Sequence, residues 1–164
     1  MASKIEWTTE VWNCITGCSK ISTGCKFCYC EREWPRLAAN PVTSYYGRKF
    51  TDVQCHEDRL SIPLKWKRPR MIFVNSMSDL FHESVPDSFI EKIFVVMAQA
   101  KQHTFQILTK RPERMREWVN RSAQANNSFP LPNVWLGVSV DVTTCNRKPA
   151  NLQSAHFSTG IKCN

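Results

Sequence analysis

Three apolar runs in the middle of the chain have the length and composition of β-strands, and an amphipathic stretch lies between each pair. The strands are predicted at residues 71–75, 104–109 and 134–140. The first run is apolar without alternation, which predicts a strand buried on both faces. The order strand–helix–strand–helix–strand predicts parallel pairing with right-handed crossovers, and therefore an α/β fold.

Both intervening stretches begin at a proline and carry apolar residues at helical spacing. Proline suits a first helical turn because the N–H that it lacks would have no partner there. After Pro112, a short helix is predicted in which Met115, Trp118 and Val119 share one face. After Pro86, one apolar stripe with a period near 3.6 predicts a longer helix, and its members are Phe89, Ile90, Ile93, Phe94 and Met97.

The amino-terminal part is less regular. A short strand is predicted near residues 7–13, and a brief helix over residues 29–37 that we expect Pro35 to interrupt. Residues 40–70 have no clear period, and neither have residues 141–164.

Length and composition fit one folded domain. The chain has 164 residues, of which 42% are hydrophobic, so it can bury a sizeable core. We predict one domain over residues 1–140, followed by an irregular tail over 141–164. The apolar runs are far shorter than the roughly 20 residues of a membrane-spanning helix. The amino terminus lacks the apolar centre of a signal peptide, so a cytoplasmic protein without membrane contact is expected.

The chain is basic. Its 22 Lys and Arg against 14 Asp and Glu give a net charge of +8. An excess of this kind favours a polyanionic partner, of which nucleic acid is the commonest. Residues 65–70 place four positive charges around Trp66, which is typical of phosphate contact with base stacking and also of an ordinary solvated segment.

The candidate chemistry lies in a glycine-bearing loop. Cys18, Cys25 and Cys28 have the spacing C-x6-C-x2-C. Thiolates select zinc, cuprous copper or iron–sulfur clusters. Five of the eight cysteines fall within residues 14–30 and no secretion signal precedes them, so metal binding explains them better than a disulfide framework.

Two metal sites are compatible with this loop. Three thiolates on a [4Fe–4S] cluster would leave one iron open to a substrate or cofactor. Adding Cys14 as a fourth ligand would instead give a closed structural zinc site. Cys30 and Cys55 are interpreted as buried small hydrophobes.

Polar residues follow all three predicted strands. In a parallel α/β fold, functional groups gather beyond the carboxyl ends of the strands, and the cysteine loop would open onto the same edge. The strand-end residues are Asn75, Ser76, Ser78, Asp79 and His82, then Thr109, Lys110 and Arg111, then Ser139 and Asp141. The alternative is helix capping for Asp79 and a solvated loop for Lys110 and Arg111.

Several ordered motifs together resemble the phage and prophage three-cysteine family of uncharacterised radical-SAM-like proteins. They are Trp12-Asn13, Thr16-Gly17-Cys18, Gly24-Cys25-Lys26-Phe27-Cys28-Tyr29, Arg59-Leu60, Pro63-Leu64-Lys65-Trp66, Phe73-Val74-Asn75-Ser76-Met77-Ser78-Asp79-Leu80-Phe81-His82, Leu108-Thr109-Lys110-Arg111-Pro112 and Trp135-Leu136-Gly137-Val138-Ser139-Val140. The resemblance implies a partial (β/α) barrel of the radical-SAM type. Because residues after Val140 do not match the family's continuation, we expect a truncated or frame-shifted member whose barrel is incomplete at the C-terminus.

The resemblance also implies a chemistry. Cys18, Cys25 and Cys28 would hold a [4Fe–4S] cluster whose open iron chelates S-adenosylmethionine, and one electron from an external donor would cleave the sulfonium to a 5′-deoxyadenosyl radical. From their strand-end positions, we expect Asn75, Ser76 and Asp79 to contact the cofactor. Lys110 and Arg111 are expected to hold the substrate or its phosphate.

The expected function is therefore a radical-SAM-like iron–sulfur protein of phage or prophage origin, acting on a nucleotide or nucleic-acid substrate. The alternative is a non-catalytic, zinc-stabilised nucleic-acid-binding module that uses Cys14 and the basic segment 65–70.

Overall fold

A parallel β-sheet with helices between its strands organises the chain. The computed structural model of the protein describes residues 6–125 and 130–140. The strands are β1 (Glu10–Trp12), β2 (Ile15–Thr16), β3 (Gln54–Cys55), β4 (Met71–Val74), β5 (Thr104–Thr109) and β6 (Val134–Val138). The α-helices are α1 (Tyr29–Ala38), α2 (Asp87–Gln99) and α3 (Pro112–Ala125).

The main sheet has four strands in the order β1-β4-β5-β6, and all its pairs are parallel. Its register places Ile72 beside Phe105 and Phe105 beside Val134. The strands β2 and β3 form a separate antiparallel pair, in which Ile15 lies opposite Cys55. The predicted α/β class and the parallel pairing are thus confirmed.

One face of the main sheet packs against helices. Ile72, Val74, Phe105 and Ile107 are buried and belong to one core cluster that includes side chains of both α2 and α3. The apolar stripe predicted for the first of these helices is buried throughout, and its members are Phe89, Ile90, Ile93, Phe94 and Met97. Hydrophobic burial of this stripe therefore fixes the helical layer on that face.

The opposite face of the sheet is only partly covered within the described residues. Met71 and Phe73 are half-buried, whereas Trp135 is 54% exposed. The prediction that the strand at residues 71–75 is buried on both faces is therefore wrong. Ile72 and Val74 point to the helical layer, and the alternate positions point to the less covered face.

The helix α1 runs through Pro35 without interruption, contrary to the sequence-based expectation. The amide of Ala39 still donates to the carbonyl of Pro35 at 3.0 Å, so the last turn is intact. Proline removes only its own hydrogen bond here, and the neighbouring Trp34 anchors the helix by edge contacts with Tyr45 and Phe50. Tertiary packing thus outweighs the local cost of the proline.

The ends of two other elements also differ from expectation. The helix α3 extends over 14 residues and so is not short, and β6 ends at Val138. The predicted tail at 141–164, with Asp141, lies outside the described residues. Within residues 6–125 and 130–140, none of the helices combines the length and apolarity that a membrane span requires.

Candidate cofactor site at the carboxyl edge of the sheet

Backbone hydrogen bonds fix the cysteine loop to the carboxyl edge of the main sheet. Gly17 forms an isolated parallel bridge with Ser78, and its amide donates to the carbonyl of Met77 at 3.2 Å. The amide of Cys18 donates to the carbonyl of Phe50 at 2.9 Å. The loop therefore starts directly above the end of β4.

One cavity of about 380 Å³ lies between this loop and the strand ends, and all three cysteines of the loop line it. Its volume falls within the range of roughly 300–1,000 Å³ that is usual for small-molecule and cofactor sites. Among its other lining residues are Asn75, Ser76, Ser78, Asp79, Thr109, Lys110, Arg111 and Ser139. The structure thus brings together every residue to which the sequence assigned a cofactor or substrate role.

The three loop cysteines are free thiols with different surroundings. Burial raises the pKa of Cys18, although the nearby Arg111 guanidinium opposes this rise. Burial would also raise the pKa of Cys25, but hydrogen bonds at Ile21 and Ser22, together with the charge of Lys110, bring it below its usual value. Within the described part of the chain, no three His, Cys, Asp or Glu side chains form a group placed to hold a metal ion.

The other described cysteines differ in burial, and Cys55 is only half-buried, so the prediction that it is buried is wrong. Cys30 also lines the cavity, and its thiol donates to the carbonyl of Ser76 at 2.8 Å. Burial is the main cause that raises the pKa of Cys30 to about 12. Cys14 is fully buried, donates to Oδ1 of Asn75 at 3.5 Å and is not among the residues lining the cavity. Sequence reasoning assigned Cys30 only to the core, although its position two residues after Cys28 was a signal for the cavity.

Asn75 has an unusual backbone and an unsatisfied side chain. Its φ is +60°, in the left-handed region, and it is only 3% exposed. Its Oδ1 accepts from the amide of Ile15 at 3.1 Å, and this hydrogen bond distinguishes the oxygen of the side-chain amide from its nitrogen. The amide nitrogen, Nδ2, is buried without a hydrogen-bond partner in the described structure. Each of these features costs about 1–3 kcal/mol, and such costs concentrate at functional sites.

Asp79 joins the ends of two strands. Its Oδ1 accepts from the Thr109 hydroxyl at 2.7 Å and from the amide of Phe81 at 2.9 Å. Its Oδ2 accepts from the amide of Lys110 at 3.0 Å and from Nη1 of Arg111 at 3.2 Å. The carboxylate lines the cavity as expected, but protein donors already surround both of its oxygens. It therefore stabilises the cavity wall directly.

Lys110 and Arg111 are adjacent but differently placed. Lys110 is half-buried, and its Nζ donates to the hydroxyl of Ser139 at 3.1 Å. Arg111 is 8% exposed. Burial alone would lower the pKa of Arg111, but Asp79 and Glu83 raise it above its ordinary value, so the side chain stays charged.

His82 lies behind the cavity rather than in its wall. Its Nδ1 accepts from the amide of Ser84 at 3.1 Å, so a neutral ring carries its proton on Nε2 and donates it to the hydroxyl of Ser19 at 2.8 Å. Burial and then the charge of Arg111 lower the pKa of His82. A neutral His82 therefore supports the cysteine loop from beneath.

The basic segment at residues 65–70 lies apart from the cavity lining. Trp66 is half-buried, packs edge-on against His103 with ring centroids 5.9 Å apart, and has the Arg70 guanidinium 4.9 Å from its ring centroid. Lys65, Lys67 and Arg68 are exposed and available to phosphate. The base-stacking role of Trp66 stays a prediction.

Comparison with known proteins adds one match. The family model described as "Protein of unknown function (DUF5131)" matches residues 2–158, which include the cysteine loop and all strands of the main sheet. No curated protein and no solved structure matches the chain.

Proposed function

Since this chain belongs to the DUF5131 family of proteins of unknown function, its activity follows from its site, and we propose that it is an iron–sulfur protein of the radical-SAM type. Cys18, Cys25 and Cys28 would hold a [4Fe–4S] cluster, which would bind S-adenosylmethionine. The observation that carries this proposal is the single cavity that the three thiols share with the polar strand-end residues.

The donor set and its surroundings fit such a cluster. Thiolates are the usual ligands of iron–sulfur clusters. Because a cluster is larger than a single metal ion, its ligands lie further apart, along the wall of a cavity. Arg111 and Lys110 line the same cavity and offset the negative charge of the thiolates. Cys14 lies outside this cavity, which favours the three-thiol site over the four-cysteine zinc site.

The strand-end residues suit the polar groups of S-adenosylmethionine. Asn75 offers the unpartnered Nδ2 donor, which suits a carboxylate oxygen. The Ser76 hydroxyl already donates to Oδ1 of Asn13 at 3.1 Å, so its remaining lone pairs are acceptors, which suit an amino group. When bound, the cluster would supply the electron for cleavage of the sulfonium, and an external donor would provide that electron.

The sheet supports the remaining parts of the proposal. Four parallel strands with a site at their carboxyl edge are the arrangement of one sector of a (β/α) barrel. The net charge of +8 and the half-buried Lys110 at the cavity favour a nucleotide or nucleic-acid substrate. The resemblance to the phage and prophage three-cysteine family supports the same chemistry.

Anaerobic reconstitution with iron and sulfide tests the proposal. We expect about four irons with acid-labile sulfide per chain. Replacing Cys18, Cys25 and Cys28 together by Ser should abolish iron uptake. The matched control, Cys14→Ala with Cys55→Ser, removes two thiols outside the cavity and should retain the iron. A colourless wild-type product without iron, or one zinc per chain in its place, would overturn the proposal.

A further inference from the structure

A buried guanidinium joins the cysteine loop to the end of β5. Nε of Arg111 donates to Glu83 at 2.9 Å, and Nη1 donates to Asp79 at 3.2 Å. Nη1 also lies 3.8 Å from the sulfur of Cys18. Nη2 donates to the carbonyl and the hydroxyl of Ser19 at 3.3 and 3.0 Å. All three nitrogens of the side chain are therefore engaged by the protein.

We propose that Arg111 is a positioning residue for Cys18. It holds the first cysteine of the loop against the cavity wall and donates an N–H to its sulfur, and so it is not available to a substrate phosphate. The positioning of the loop is independent of any bound group. The effect on a cluster rests on the proposed function.

The surroundings of Ser19 show why the loop depends on this contact. Its hydroxyl is hydrogen-bonded to Nε2 of His82 at 2.8 Å and donates to Oε1 of Glu83 at 3.1 Å. Glu83 is itself paired with Arg111. Cys18 is thus held on one side by the Gly17–Ser78 bridge and on the other by this closed ring. The only helical turn between the bridge and Cys28 is the short one at Thr23–Cys25, so local structure alone fixes little of this described segment.

Arginine suits this position because of its shape. Its planar guanidinium offers five N–H donors in a fixed fork, and here the fork serves four residues at once. Lysine has one nitrogen and could not reach Glu83, Asp79 and Ser19 together. An N–H donor and a positive charge beside a cluster ligand favour the more electron-rich state, and therefore raise the reduction potential.

The first test uses the metal-free protein. Arg111→Lys and Arg111→Gln should accelerate hydrogen exchange of the Gly17 and Cys18 amides at least tenfold, while core amides of β5 stay protected. Arg114→Gln is the matched control, because Arg114 lies three residues further along, in α3, and bonds to Asp87 and to the carbonyls of His82 and Val85 instead of to the cysteine loop. Ser19→Ala should act in the same direction without disturbing the buried ion pair.

The second test measures the reduction potential of the reconstituted cluster. Arg111→Gln should lower it by about 59 mV, which is a tenfold change in a one-electron equilibrium, and Arg114→Gln should leave it unchanged. Unchanged exchange in the Arg111 variants overturns the positioning role, and an unchanged potential overturns the contact with sulfur. A wild-type protein that takes up no iron refutes the proposed function alone, because the exchange experiment still decides the role of Arg111.

Discussion

Gly17 and Ser78 form a parallel bridge that attaches the cysteine loop to the carboxyl edge of the sheet. Gly17 can form this bridge because it has no Cβ. Its φ is +92°, and a Cβ at this position would lie 2.4 Å from the carbonyl oxygen of Asp52. The approach of the loop to the strand ends therefore depends on a glycine at this place.

Gly17→Ala should lower the free energy of unfolding by at least about 2 kcal/mol, because it adds backbone strain and a contact with a carbonyl that cannot move away freely. Gly47→Ala is the control, since Gly47 has a φ of +67° and nothing within 4 Å of its position for Cβ. It should cost only about 1 kcal/mol. Urea unfolding of both variants checks this, and equal losses would show that the contact with Asp52 is unimportant.

Asp79→Asn should destabilise the protein by about 3 kcal/mol, because it removes the buried one of the two carboxylates that pair with Arg111 and leaves only the more exposed Glu83. The Asp79 side chain is 8% exposed and accepts four hydrogen bonds. Asp87→Asn is a matched change, since Asp87 pairs with Arg114 and Arg121 at a more exposed site. Its cost should stay below about 1 kcal/mol. A similar loss in both variants, measured by chemical denaturation, would contradict a special role for Asp79.

The helical layer could be predicted from the sequence because the spacing of its apolar residues follows directly from which side of each helix is buried. The stripe from Phe89 to Met97 has the period of a helix, and every member is buried. The strand at Thr104–Thr109 was predicted with its observed bounds for the same reason. Parallel order then placed the residues after β4 and β5 at one edge, so Asn75 and Lys110 could be assigned to a common site.

Side-chain direction and long-range pairing could not be read from the sequence. Arg111 and Cys18 are 93 residues apart, and no local signal shows that the guanidinium turns back to the loop. Asn75, with its left-handed backbone, is hydrogen-bonded to Trp12 and Ile15, which are distant in the sequence. Pro35 misled the prediction because the packing of Trp34, which decides that the helix continues, is tertiary.

The stability of the protein should fall as the pH drops from 6.5 towards 4. Burial, followed by the charges of Arg59 and Arg48, lowers the pKa of His56 from 6.5 to about 4. Between these values the unfolded chain binds a proton that the folded protein excludes, so this contribution is complete above pH 6.5 and is lost on acidification.

Urea unfolding at several pH values measures this effect. The loss between pH 6.5 and 4 should be of the order of 1–3 kcal/mol. His82, whose pKa is also lowered, acts in the same direction. His56→Gln should therefore reduce the dependence of the free energy of unfolding on pH without removing it. If the variant shows the same pH dependence as the wild type, His56 does not contribute to it.

Asn75→Gly separates a binding role from a structural one. Glycine adopts a φ of +60° without strain and removes the unpartnered Nδ2, which offsets the lost acceptor for the Ile15 amide. The free energy of unfolding should therefore stay within about 1 kcal/mol of the wild type, whereas Asn75→Ala, which keeps the strain, should cost about 1 kcal/mol more.

In the reconstituted protein, both variants should bind S-adenosylmethionine at least tenfold more weakly, as measured by equilibrium dialysis. Unchanged affinity would remove Asn75 from the cofactor site. A loss of several kcal/mol in Asn75→Gly would show that the side chain serves the fold instead, through the hydrogen bonds that its Oδ1 accepts from Ile15 and Cys14.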